Sequence, residues 1–141
     1  LVLIFSMLMI GRGLENAGAL DLIVDQAFPF LDGLPPILLV AIVYLLASVL
    51  TELVTNNAVA VVLTPIAIGL AERTGADPRA VVVAVMFGAS ASFATPIGYQ
   101  TNTLVYGAAD YRFVDFVKIG VPMNILVGVA AVLAISLFFP L

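Results

Sequence analysis

The sequence predicts an all-α integral membrane protein, and three observations carry that prediction. Of the 141 residues, 63% are hydrophobic and 10% charged, against about 45–50% and about 25% in soluble domains. The mean hydropathy is +1.23. The apolar residues also lie in runs that approach the roughly 20 residues needed to cross a bilayer, separated by short polar turns. Such a surplus of apolar surface has one good solvent, the bilayer core. A multi-pass protein of the cell membrane is expected.

Residues 1–13 read as the end of a helix entered part-way and closed by Gly11-Arg12-Gly13, as in a piece of a longer protein. The opening run has neither the positive flank nor the cleavage pattern of a signal peptide. Residues 14–33 mix Glu15, Asp21, Asp25 and Asp32 with Leu20, Leu22, Ile23, Val24 and Phe28. That mixture suits an amphipathic connector at the membrane interface. Pro35 and Pro36 then suit the first turn of a new helix.

Residues 34–72 hold two apolar arms around a polar knot of Glu52, Thr55, Asn56 and Asn57. The first arm, Pro36 to Leu53, would rise about 27 Å and the second, Ala58 to Ala71, about 21 Å. The second falls short of a core roughly 30 Å thick. Unequal arms about a polar tip predict a re-entrant helical hairpin rather than one long helix. Non-helical backbone at depth is tolerated where protein or water covers it.

Glu72 to Pro78 reads as a surface turn, followed by a discontinuous transmembrane helix over 79–109. Its first half ends in "MFGASASF" (86–93), small residues that let membrane helices approach closely. Pro96 and Gly98 predict an interruption over 94–102. A charged turn follows at 110–115, then a last helix over 116–140 with Pro122 in its first turns.

Cysteine and histidine are absent, which excludes disulfides, thiol chemistry, most zinc sites and imidazole catalysis. The net charge of −4 is spread over the turns, and the lack of a basic stripe argues against nucleic acid. The chemistry is expected at the two polar breaks, Thr55–Asn57 and Thr95–Asn102. Each has a Thr-Pro-Ile at or near it (64–66 and 95–97). Broken helices are how transporters expose backbone: half-helix N-termini favour anions, and freed carbonyls coordinate Na⁺. Asn and Thr add neutral oxygens for a hard monovalent cation and N–H donors for an anion. Neither break contains Lys or Arg, so an anion would be held by dipoles and by a co-bound cation, which couples the two. The competing reading is interhelical glue; two clustered breaks beside Pro or Gly favour a binding site. A carboxylate at this depth is a functional candidate by default. Glu52 is expected to brace the tip as a supporting group, since it would repel an anion.

One long motif and one short one resemble the divalent-anion:sodium symporter family. The long motif is "ASASFATPIGYQTNTLV" (89–105), with Ala89, Ser90, Phe93, Pro96, Ile97, Gly98, Asn102, Leu104 and Val105 in the family's pattern. The short motif is the Ser-Asn-Thr hairpin tip, here Thr55-Asn56-Asn57. Thr55 keeps the hydroxyl of the family's Ser, whereas Asn57 replaces a hydroxyl with an amide. The resemblance implies the second half of an inverted-repeat transporter, partnered by the first half of the same protein, in a homodimer within the lipid bilayer. It implies a Na⁺ site at Thr55, Asn56, Asn57, Thr95, Pro96, Gly98 and Asn102. A small anionic substrate would meet Thr55, Asn56, Asn57, Thr95 and Asn102. It also implies hairpin ends facing outside, which puts Arg12, Arg73 and Arg79 outside and Arg112 and Lys118 inside, against the positive-inside tendency.

The expected function is therefore secondary active transport: Na⁺-coupled symport of a divalent anion, sulfate or a dicarboxylate, by an elevator-like movement. Na⁺ is the coupling ion and no cofactor is expected. A cation/proton antiporter or oxyanion exchanger of related architecture is the alternative, and would need a titratable group, for which Glu52 alone is placed. A passive channel or scaffold subunit would lack saturable, Na⁺-dependent flux. An intramembrane enzyme is not expected, because histidine is absent and every Asp lies near a turn.

Overall fold

The computed structural model describes residues 5, 9, 12, 13, 16–31 and 33–139. Most of the expected helix end at 1–13, with Glu15 and Asp32 of the connector, lies outside them. The described residues form helices and no strands: α1 (Ala19–Leu31), α2 (Pro36–Thr51), α3 (Asn56–Thr74), α4 (Pro78–Ser90), α5 (Gln100–Ala108) and α6 (Phe113–Phe138).

Local chemistry sets the helix starts. Pro36 and Pro78 occupy first-turn positions of α2 and α4, where a missing N–H costs nothing. Thr55 caps α3 by accepting from the Ala58 amide, and Asp77 caps α4 by accepting from the Arg79 amide at 2.9 Å. These are the side chains that satisfy orphan first-turn donors. The last helix starts at Phe113, three residues before the expected 116, because Asp115 caps it: its carboxylate accepts from the Arg112 amide at 2.9 Å. What reads as a charged turn is half helix start.

The interruption between α4 and α5 runs from Ala91 to Tyr99 rather than from 94 to 102. Its early start has a donor-side cause. Thr51 Oγ1 donates to the Ala89 carbonyl at 2.8 Å and Ser48 Oγ to the Ala91 carbonyl at 3.2 Å. Hydroxyls from α2 thus satisfy carbonyls that a helix end leaves open. Gln100, Thr101 and Asn102 become the first turn of α5.

Helices α2 and α3 touch one another, α4 packs on both, α6 packs on α2 and α4, and α1 lies on α3. The shared core joins Leu39, Val40, Val43 and Ala47 of α2 to Val59 and Leu63 of α3, Val81, Ala84 and Val85 of α4, and Ala131 and Ile135 of α6. Small residues bring α2 and α4 together: a Cβ on Gly88 would lie 2.6 Å from the Tyr44 carbonyl oxygen. Helix α1 seats Val24 on Ile66 and Leu70 and pairs Asp25 with Arg73 of α3.

Among the described residues, α6 is the one helix long and apolar enough to cross a membrane, its 26 residues rising about 39 Å. Helices α2 and α4 are apolar but shorter. Leu126, Ile125, Val129, Leu133 and Leu137, on successive turns of α6, are exposed, an apolar face that suits a lipid or protein contact.

Candidate functional site

The turn between α2 and α3 docks onto the loop between α4 and α5. Glu52 is the hub of that contact. The residue is 8% exposed, and its carboxylate accepts from the Ala94 amide, the Thr95 amide and Asn124 Nδ2, each at 2.8 Å. All three donors are N–H groups, so the side chain works as an acceptor alone. Its backbone carbonyl accepts from Thr95 Oγ1 at 2.9 Å, and the neighbouring Thr51 carbonyl accepts from Ser92 Oγ at 3.3 Å. Burying a carboxylate is costly unless it is hydrogen-bonded. Here three donors, contributed by the loop and by α6, offset that cost.

Within the loop, Asn102 reaches back from the first turn of α5. Its Nδ2 donates to the Ser92 and Thr95 carbonyls at 3.0 and 3.2 Å. Two carbonyl acceptors fix the orientation of the amide and use both of its N–H bonds. Asn102 therefore presents Oδ1 as its remaining polar atom, which is a ligand atom for a cation and not a donor to an anion. Thr95 Oγ1 donates to Glu52 and accepts from the Gly98 amide at 3.3 Å, which leaves one lone pair open. Thr103 Oγ1 holds the Pro96 carbonyl at 2.6 Å.

Of the residues singled out in the sequence, Glu52, Thr95, Pro96, Gly98 and Asn102 come together at this junction. Thr55 sits beside it as the cap of α3. Asn56 and Asn57 are the first two residues of α3, half-buried and exposed respectively. Neither takes part in the hydrogen bonds that join turn to loop, so their amides stay available. Helix α3 starts four residues after Glu52 and α5 two residues after Gly98, each with first-turn N–H groups that favour negative charge. Among the described residues no cluster of three or more carboxylate, histidine or cysteine groups is present; the oxygens on offer are neutral amides, hydroxyls and carbonyls.

Sequence reasoning missed Ser48, Ser92 and above all Asn124, which joins Glu52 from 72 residues away. A signal existed for Ser48 and for Asn124. Ser48 and Thr51 lie three apart, on one helix face, and Asn124 is a lone amide in an apolar helix, which is expensive without a partner.

Gly98 is required by the contact itself. A Cβ there would strike Ser92 Oγ and approach the Thr51 carbonyl oxygen to 2.6 Å. Gly98→Ala is expected to separate loop from turn at a cost of about 1–3 kcal/mol. It should lower the melting temperature of the purified protein and weaken ligand binding; an unchanged melting temperature would refute the close contact.

A family model described as "Citrate transporter" matches residues 1–141. An uncharacterized transporter of Synechocystis sp. is 37% identical over 137 residues, 97% of this chain and 22% of its own length. A sodium/sulfate cotransporter of Chlamydomonas reinhardtii is 39% identical over 89 residues, 63% of this chain and 10% of its own. A sodium-dependent dicarboxylate transporter of Staphylococcus saprophyticus is 24% identical over 140 residues, 99% of this chain and 27% of its own. The chain thus spans about a quarter or less of the length of these relatives. Matched family and relatives alike are named transporters, not enzymes.

Proposed function

Because the chain belongs to the citrate-transporter family, within the divalent-anion:sodium symporters, we propose that it forms the second-half site of a Na⁺-coupled symporter for a divalent anion. The observation that carries this reading is the docking of the α2–α3 turn on the α4–α5 loop through Glu52. It gathers neutral oxygens and two helix N-termini at one place. In this reading α2 and α3 are a re-entrant hairpin, α4 and α5 the halves of a discontinuous transmembrane helix, and α6 the last helix. The first half of an inverted repeat completes the substrate site in the cell membrane, and the working unit is a homodimer.

Na⁺ binds first, at Asn102 Oδ1, Thr95 Oγ1, the Thr55 to Asn57 tip and carbonyls of the loop around Pro96 and Gly98. Its charge then offsets that of Glu52 and completes an attractive field for the anion at the N-terminal ends of α3 and α5. The anion meets the free amides of Asn56 and Asn57. Asn102 contributes through the cation. The junction then moves against the scaffold as one body, because turn, loop and α6 are tied together. Each net charge carried across is worth about 2.3 kcal/mol per 100 mV, so more than two Na⁺ per divalent anion makes transport electrogenic. Proton coupling would depend on Glu52, whose carboxylate is closed in by three donors.

The test is uptake of radiolabelled sulfate, succinate and citrate by proteoliposomes holding the full-length protein, with and without an inward Na⁺ gradient. Saturable, Na⁺-stimulated uptake of one of these anions is expected, and it should fall to background in Asn56→Ala and in Asn102→Ala. In the purified protein, Asn102→Ala should weaken Na⁺ binding directly and anion binding through the lost cation. Uptake without Na⁺ dependence, or full activity in both variants, would overturn the assignment.

A further inference from the structure

We infer that Tyr44 is a positioning residue of the site, acting on Glu52 through Asn124. The inference starts from α6, where Gly120, Asn124 and Gly128 recur at four-residue spacing and so share one face. A Cβ on Gly120 would strike the Phe93 carbonyl and Ala94 Cα. Asn124 Nδ2 reaches Glu52 at 2.8 Å. A Cβ on Gly128 would lie 2.8 Å from Cε1 of the Tyr44 ring. One face of α6 therefore runs from the loop, past the Glu52 hub, to the middle of α2.

Two atoms on this seam stand out. The Tyr44 hydroxyl and Asn124 Oδ1 are both buried and have no hydrogen-bond partner among the described residues. Tyr44 as a whole is 4% exposed. Both residues line the same cleft between α2 and α6, of about 410 Å³ and mostly aliphatic. The orphans are complementary: a phenol O–H can donate, and an amide oxygen can only accept. The amide cannot turn its other end to Tyr44, because Nδ2 is held by Glu52. Leaving either atom unpaired in an apolar seam is costly, whereas pairing them satisfies both. The two atoms are not in direct hydrogen-bonding contact in this structure, so the link runs through one water, for which the cleft between them has room.

The result is a continuous chain: Tyr44 hydroxyl, Asn124 amide, Glu52 carboxylate, then the Ala94 and Thr95 amides. Tyr44 orients Asn124, Asn124 orients Glu52, and Glu52 holds the loop. Tyr44 lies about 12 Å along α2 from Glu52 and touches no ligand. Its effect on the site is to keep the loop amides and carbonyls in register. The site's identity as a Na⁺ and anion site rests on the proposed function above; the hydrogen-bonded chain does not.

The experiment is amide hydrogen exchange on the full-length protein in nanodiscs, reading the segment with Ala94 and Thr95. The proteins compared are the parent, Tyr44→Phe, Asn124→Ala and the double variant. Asn124→Leu replaces Asn124→Ala if the latter does not fold. Tyr44→Phe removes only the hydroxyl and should speed exchange in that segment about three- to tenfold, with exchange in the middle of α3 unchanged. In the Asn124 variant, which has already lost the link, adding Tyr44→Phe should produce no further change. No effect of Tyr44→Phe, or an equal effect in both backgrounds, would reduce Tyr44 to a packing residue and overturn the inference. Na⁺-dependent uptake is read on the same four proteins in proteoliposomes, where Tyr44→Phe should raise the half-saturating Na⁺ concentration several-fold with little change in maximal rate. A parent without Na⁺-dependent uptake would defeat the transport reading and leave the exchange result to judge Tyr44.

Discussion

Glu52→Gln is expected to reduce Na⁺-stimulated uptake at least about thirtyfold, the largest effect of any single-atom change in this chain. The carboxylate takes three N–H bonds at 2.8 Å, and the residue as a whole is buried. Glutamine offers one oxygen and one NH₂, so at least one loop or α6 donor would face another donor. A buried donor left unpaired costs about 1–3 kcal/mol, and a hydrogen bond to a charged group is itself worth about 1.5–3 kcal/mol. Every 1.4 kcal/mol is about tenfold, so even about 2 kcal/mol spent on holding the loop amounts to that loss. Glu52→Asp keeps the charge but is one methylene too short to reach all three donors, and should fall between parent and Gln. Protein abundance in the membrane and melting temperature would be read beside uptake. Full activity in Glu52→Gln would remove Glu52 from the site. A variant that still transports but has lost a proton dependence present in the parent would make Glu52 the titrating group of a proton-coupled transporter instead.

Gly120→Ala is expected to be nearly as damaging, although residue 120 carries no functional group. An added Cβ would meet the Phe93 carbonyl and Ala94 Cα, both backbone atoms of the loop. A side chain can rotate out of the way, but backbone tied to Glu52 cannot do so without breaking the hub. Helix α6 must therefore retreat, and Asn124, one turn further along the same face, leaves Glu52 with it. Overpacking of this kind costs about 1–3 kcal/mol, occasionally more, and here the displacement falls on the loop. Uptake should drop to a few per cent of the parent, with the half-saturating Na⁺ concentration raised in what remains. Ile119→Ala, beside it on the exposed face of α6, should leave uptake within about twofold of the parent, since isolated surface changes stay near 0.5 kcal/mol. Equal behaviour of the two variants would show that the α6–loop contact is not needed.

Much of the chain was legible without coordinates, for a physical reason. Lipid selects composition, so the membrane class followed from the apolar surplus, and helix-breaking residues act locally, so an interruption around Pro96 and Gly98 and a polar turn after Thr51 could be read directly. Glu52, Thr95 and Asn102 stood out because polar groups are costly at depth. The boundaries were less legible where a distant group intervened. At the end of α4, hydroxyls 38 and 43 residues away take the carbonyls of Ala89 and of the capping Ala91, and no local pattern records that.

An all-helical membrane chain of the symporter family, and the residues whose polarity is costly there, could be read from the residues alone. Which neighbours each of those residues meets is visible only in the folded chain. Asn102 has spent its N–H bonds on its own loop and offers an oxygen; Glu52 serves the loop amides and Asn124. Gly98 and Gly120 are needed for the space a neighbour occupies. Helical propensity and lipid solubility are properties of short segments, and so are written locally. A hydrogen bond is a property of two groups, and Glu52 meets its partners 42, 43 and 72 residues along the chain, separations at which spacing carries no signal and the packing of α2, α4 and α6 chooses the pair.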